Sequence, residues 1–151
     1  AEFNLWCDPE AAHMVFSYGG PLIMSGLDVT HQLQAIPERV DMIRALPGRL
    51  AAVLADLLEF FSGTYISRHH HILGAPVHDP IAVLALSHPQ LLEHRLTHVE
   101  IETQGRLTAG MTVIDQRDLR EVPDANCDLI TSINADAAWQ LIVEAVAASS
   151  N

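Results

Sequence analysis

The sequence predicts an α/β fold with a mixed β-sheet flanked by helices. Three observations carry this. A proline-started helix at Asp8-Pro9-Glu10 runs directly into the apolar segment Leu22-Ile23-Met24, the helix-then-strand order of α/β proteins. Two later segments, His98 to Thr103 and Cys127 to Ile133, alternate apolar and polar residues with the period of a strand. A final stretch carries Trp139, Ile142, Val143 and Val146 at helical spacing.

Taken in order, Ala1 to Trp6 reads as extended or irregular. The first helix follows, with Ala12, Val15 and Phe16 on its apolar face, and Gly19-Gly20-Pro21 ends it. Leu22-Ile23-Met24 reads as a buried strand that Leu27 and Val29 extend. Pro37 starts a second helix through Val40, Ile43 and Leu46, which Pro47-Gly48 breaks. A longer helix carries Leu50, Val53, Leu54, Leu57, Leu58 and Phe61 as a stripe expected to pack in the core. Ser62 to Ala75, with Tyr65 and three consecutive histidines at 69–71, reads as a frayed helix end and loop. Asp79-Pro80 then opens another helix, the carboxylate as cap and the proline in the first turn; Ile81, Val83, Leu84 and Leu86 are its expected buried face. Met111 to Ile114 is a further strand, and Asn134 or Asp136 caps the last helix.

Composition narrows the chemistry. At 151 residues, about half of them hydrophobic, the chain suits one domain, residues 1–151, with a sizeable core. Nineteen acidic against eight basic residues give a net charge of -11, which argues against a nucleic-acid partner. Cys7 and Cys127 form no CxxC pair and are expected as reduced, buried thiols. The longest apolar stretch, Leu50 to Phe61, is broken by Asp56 and Glu59, so no membrane span is expected and a soluble, cytoplasmic protein is. The chain starts at Ala1 without methionine, as processing or cutting of a longer chain would leave it.

Four groups of residues can carry chemistry. His78 and Asp79 set an imidazole beside a carboxylate at a helix start, where the carboxylate can cap the helix, hold a metal, or both. Glu2 and Asn4 project to one side of an extended chain and can grip vicinal hydroxyls. His69-His70-His71 reads as a solvated loop, or as one closing over a ligand. His31, after Asp28-Val29-Thr30, lies where strand ends line clefts. No P-loop, Gly-x-Ser-x-Gly or dinucleotide fingerprint is present.

In order along the chain, Ala1-Glu2-Phe3-Asn4, Asp8-Pro9-Glu10-Ala11-Ala12, Gly26-Leu27-Asp28-Val29-Thr30-His31 and Val77-His78-Asp79-Pro80 resemble the carboxy-terminal half of the inosine–uridine preferring nucleoside hydrolases. The resemblance implies part of a larger Rossmann-like fold and hydrolysis of the N-glycosidic bond of ribonucleosides to ribose and free base, in purine and pyrimidine salvage. It implies a calcium ion, with Asp79 as a ligand and His78 as proton donor to the departing base. Glu2 and Asn4 would bind ribose hydroxyls with Phe3 beside them, and Tyr65 would lie near the base. The family's Asp-x-Asp-x-Gly-x-Asp-Asp motif is absent, and Asp115 to Asp118 does not replace it. One carboxylate makes a weak calcium site, so the isolated chain is expected to be inactive. A homo-oligomer covering the faces left open is the expected assembly; a non-catalytic binding or self-associating module is the alternative.

Overall fold

The computed structural model describes residues 1–68, 72–114 and 123–149. The histidines at 69–71 and the aspartates at 115 and 118 lie outside the described residues. In chain order the elements are α1 (Phe3–Cys7), α2 (Pro9–Phe16), β1 (Ile23–Met24), α3 (Leu27–Thr30), β2 (Gln34–Ala35), α4 (Pro37–Arg44) and α5 (Arg49–Ile66). They continue with β3 (Ala75–Pro76), α6 (His78–Ser87), a 3₁₀ turn (Pro89–Leu91), β4 (Leu92–Thr97), β5 (Glu100–Ile101), β6 (Thr112–Val113), β7 (Cys127–Ile133) and α7 (Ala135–Ser149). Among the described residues no helix is long and apolar enough to cross a membrane.

The chain divides into two compact units. The first holds Ala1–Leu27 and Glu93–Thr131. Its sheet has the order β1-β7-β4, with β1 parallel to β7 through Ile23 opposite Asp128 and Met24 opposite Leu129. The Asn126 N–H donates to the Thr97 carbonyl, and the Thr131 hydroxyl to that of Glu93, so β4 runs antiparallel to β7 and the sheet is mixed. Ala12 and Phe16 of α2 pack on Val99, Ile101 and Cys127. Asn126 knits this core together, donating to the Phe16 and Val99 carbonyls while accepting the Val99 N–H at 2.8 Å. Gly110 has a φ of 84°, and a Cβ there would lie 2.7 Å from the Trp6 Cα, so only glycine fits.

The second unit holds Asp28–Leu92 and Ser132–Asn151. Here α5 packs against α4, β3 and α7. Trp139 is its largest fully buried side chain; its indole N–H donates to the Arg39 carbonyl, and the Arg39 guanidinium lies 5.7 Å from the ring centroid. Arg39 also pairs with Asp136 at 2.7 Å, fastening α4 to the start of α7. Asn134 caps α7, accepting the Ala137 N–H.

Several expectations change. Within Ala1 to Trp6, residues from Phe3 on are neither extended nor irregular, because the Glu2 carboxylate caps a short helix by accepting the Asn4 and Leu5 N–H groups. The strand at Ile23 stops at Met24, and Leu27 to Thr30 turns into α3 instead of extending it. The His98 strand shortens to Glu100–Ile101, while Leu92–Thr97, which lacks clean alternation, is a full strand. On α5 only part of the aliphatic stripe turns inward: Leu54 and Leu58 are half-buried, Leu50, Val53, Leu57 and Phe61 are exposed, and the fully buried positions are Ala51, Ala55 and Ser62. Of these, Ser62 lies against the β2–β3 pair, where its hydroxyl meets Ala35 and Ala75. On α6, Ile81 and Leu84 are buried but Val83 and Leu86 face outward. Cys127 is buried as expected; Cys7 is exposed.

Two predictions follow from this packing. A Cβ at Gly74 would lie 2.1 Å from the Ala35 carbonyl oxygen, whereas at Gly63 on α5 nothing lies within 4 Å. Gly74→Ala is expected to cost about 1–3 kcal/mol, and Gly63→Ala to stabilise by up to about 1 kcal/mol; urea denaturation midpoints of the two variants check both signs. The second concerns His98, whose Nε2 lies 2.7 Å from Glu100 and whose Nδ1 faces the Asp124 carbonyl at 2.8 Å. Glu100 first, then the carbonyl, raises its pKa above 6.5. The pairing therefore stabilises fully below pH 6.5 and the contribution is lost as pH rises through the elevated folded value. The midpoint difference between wild type and His98→Asn should shrink between about pH 5.5 and about pH 8.5; an unchanged difference would refute the assignment.

Candidate functional site

Four of the residues that the sequence marks for chemistry, His31, Tyr65, His78 and Asp79, fall in the second unit. The segment that carries the histidine is held from both sides. β3 pairs antiparallel with β2, Gln34 opposite Pro76 and Ala35 opposite Ala75. The buried Ser62 hydroxyl accepts the Ala75 N–H at 2.9 Å and donates to the Ala35 carbonyl at 3.3 Å. Gln34 reaches the other way: its Oε1 accepts the Leu73 and Gly74 N–H groups, and its Nε2 donates to the His31 carbonyl. The Val77 N–H is committed to the Leu33 carbonyl at 2.8 Å. The chain then enters α6 at His78.

His78 is half-buried, and both ring nitrogens meet hydroxyls. Nδ1 lies 2.8 Å from the Thr30 Oγ1, and Nε2 lies 3.2 Å from the Tyr65 hydroxyl. The His31 ring stands 5.8 Å from it, centroid to centroid. Tyr65 is set by the Phe61 ring, edge-on at 5.1 Å. Phe61, Ser62 and Tyr65 share one helix, so the residue that clamps β3 and the residue that meets His78 are three positions apart on α5. Tyr65 thus lies in a well-formed helical turn, not in the frayed end expected there.

Asp79 does not cap its helix. The residue before α6 is Val77, and no side chain caps there. The helix begins two residues earlier than an Asp79 cap implies, because the Val77 N–H is held by the Leu33 carbonyl beside β2 and His78 already adopts helical geometry. Asp79 falls in the first turn with an exposed carboxylate, where the helix dipole still favours an anion. Pro80 tolerates the place because first-turn N–H groups have no intrahelical partner. Calcium requires six to eight oxygens. Among the described residues no group of three or more His, Cys, Asp or Glu side chains is arranged to hold a metal, so Asp79 is at most one ligand of a set these residues do not complete.

Glu2, Phe3 and Asn4 fall in the first unit. Beyond capping α1, the Glu2 carboxylate accepts the Asn4 side-chain amide at 3.2 Å through Oε1. The pair lies side by side, by helix capping and not by strand alternation. Phe3 is 69% exposed, its ring 6.4 Å from that of Trp6. His31 follows a short helix, not a strand. Thr30 was legible only as part of a matched block; 48 positions separate it from His78, and no local pattern pairs them.

The chain is 43% identical over 148 residues to the pyrimidine-specific ribonucleoside hydrolase RihA of Shewanella oneidensis, covering 98% of this chain and 46% of that protein. It is 40% identical to the protein of the same name from Photobacterium profundum, covering 97% of this chain and 47% of the relative. Its backbone matches the solved purine-preferring ribonucleoside hydrolase from Gardnerella vaginalis with a TM-score of 0.86 at 26% identity, over 99% of this chain and 47% of that one. A plant nucleoside hydrolase, at 21% identity and a TM-score of 0.83, shares the fold. The chain spans about half the length of the relatives it matches. The family model for inosine-uridine preferring nucleoside hydrolases matches residues 1–140, and the chain belongs to that family.

Proposed function

We propose that this chain is the carboxy-terminal part of a ribonucleoside hydrolase that cleaves the N-glycosidic bond to give ribose and free base. The observation that carries the reading is the half-buried His78, held between two hydroxyls at a helix start. Loss of a base from ribose leaves electron density on a base nitrogen, and a positioned donor there lowers the barrier. His78 is that donor, with Tyr65 beside its Nε2 on the path to the base. Glu2 and Asn4 are ribose-hydroxyl ligands, the carboxylate accepting and the amide donating, with Phe3 next to them. Asp79 is one calcium ligand; the others would come from parts of a longer protein. Nucleoside salvage in the cytoplasm, by a homo-oligomer, is the setting this activity suits.

Pyrimidine ribonucleosides are the favoured substrates, because the relatives at 40–43% identity bear a pyrimidine-specific name. The test is free-base release by the full-length protein, with calcium, from uridine, cytidine and inosine. Uridine and cytidine should be cleaved faster. A preference for inosine would overturn the base assignment alone; no release from any of the three would overturn the hydrolase reading. The 151 residues by themselves should release little or no base, and robust turnover would show that they contain a complete site.

His78→Ala should lower kcat on uridine by about 10²- to 10⁴-fold. A p-nitrophenyl riboside, whose leaving group needs no proton, should lose far less. Equal losses on both substrates would remove His78 from the donor role.

A non-catalytic, self-associating module is the second reading. It is favoured by the exposed face of α5, where Leu50, Val53, Leu57, Phe60 and Phe61 are all outside the core. Light scattering tests it, and a monomer at high concentration would count against it.

A further inference from the structure

The Thr30 side chain sits at the end of α3, 3% exposed. Its hydroxyl lies 2.8 Å from the His78 Nδ1 and makes no other hydrogen bond among the described residues. A hydroxyl carries one hydrogen and can accept as well as donate. If Nδ1 held the ring's proton, Thr30 could only accept from it, and its own hydrogen would be buried without an acceptor. Such an orphaned donor is costly. Both demands are met when the Thr30 O–H donates to Nδ1. A neutral imidazole then carries its proton on Nε2.

We infer that Thr30 is the positioning residue of His78: its hydroxyl donates to Nδ1, fixing the ring's orientation and placing its proton on Nε2, the nitrogen that faces Tyr65. The backbone keeps the pair in register. Thr30 precedes β2 by four residues and His78 follows β3 by two, and these two strands are paired and clamped by Ser62. A slip of either strand by one residue would take the hydroxyl away from the ring. The Phe61–Tyr65 packing holds the other nitrogen's partner in place. The histidine thus enters the reaction with its donor nitrogen already chosen, and the tautomer need not be reset in each turnover. The catalytic consequence rests on the ribonucleoside hydrolase reading; the tautomer itself does not.

Long-range ¹H–¹⁵N correlation on the intact protein, with labelled histidine and His78 assigned by its absence in His78→Gln, distinguishes the protonated ring nitrogen from the bare one without turnover. The wild-type spectrum should show a bare Nδ1 and a protonated Nε2. Thr30→Val, close in shape but without the hydroxyl, should give mixed tautomers and lower kcat by roughly 10- to 100-fold with a smaller change in KM; Thr30→Ser should restore both. A protonated Nδ1 in the wild type, or a Thr30→Val spectrum like that of wild type, would overturn the inference. If Thr30→Val does not fold, the wild-type and Thr30→Ser spectra decide it. Failure to hydrolyse any ribonucleoside, with the expected tautomer in place, would count against the activity and leave the assignment standing.

Discussion

The short β2–β3 ladder and the serine that closes it are what the second unit's chemistry depends on. Two residues per strand give little pairing energy of their own. What makes the ladder definite is the buried Ser62 hydroxyl, which answers one backbone group on each strand, and the absence of a side chain at Gly74, which lets the strands close. Removing that hydroxyl would leave the buried Ala75 N–H without its partner, a larger loss than one exposed hydrogen bond. Everything downstream inherits this placement. Val77 is tied to Leu33, α6 starts at His78, and the ring is delivered between Thr30 and Tyr65.

The same economy shapes α5. One turn places Ser62 on the strands and Tyr65 on the histidine, while Ala51 and Ala55 let the helix sit close to its neighbours. Large side chains on that face would hold the elements apart. Leu54 and Leu58 flank that face and are half-buried, while Leu50, Val53, Leu57, Phe60 and Phe61 lie on the other side and are exposed. An apolar face of this kind is usually covered by other protein, consistent with a chain that spans about half the length of its relatives.

In the first unit the organising device is capping. Glu2 turns Phe3–Cys7 into a helix and draws the Asn4 amide to its own carboxylate. The positive φ and the bare Cα of Gly110 allow the following helix residues to lie against the 108–111 turn. Asp8 repeats the capping for α2, accepting the Ala11 N–H at 2.9 Å. Acidic side chains at both helix starts thus do structural work irrespective of any ligand, which is why their chemistry is hard to separate from their capping in the sequence.

The sequence by itself determined the α/β class, the helix at Asp8-Pro9, the strand Cys127–Ile133 with its full bounds, and the family, through four motif blocks in order. These are local properties: proline fixes φ, alternation fixes a strand, and a motif is read one residue after another. Only the tertiary structure decided that the fully buried positions of α5 are the small residues Ala51, Ala55 and Ser62, because burial depends on what lies opposite. It also decided that Asp79 stands in the first turn and not at its cap, since a distant carbonyl, that of Leu33, takes the Val77 N–H. And it brought Thr30, Tyr65 and His78 together, since a contact across 48 residues is set by strand register and has no signature in either local segment.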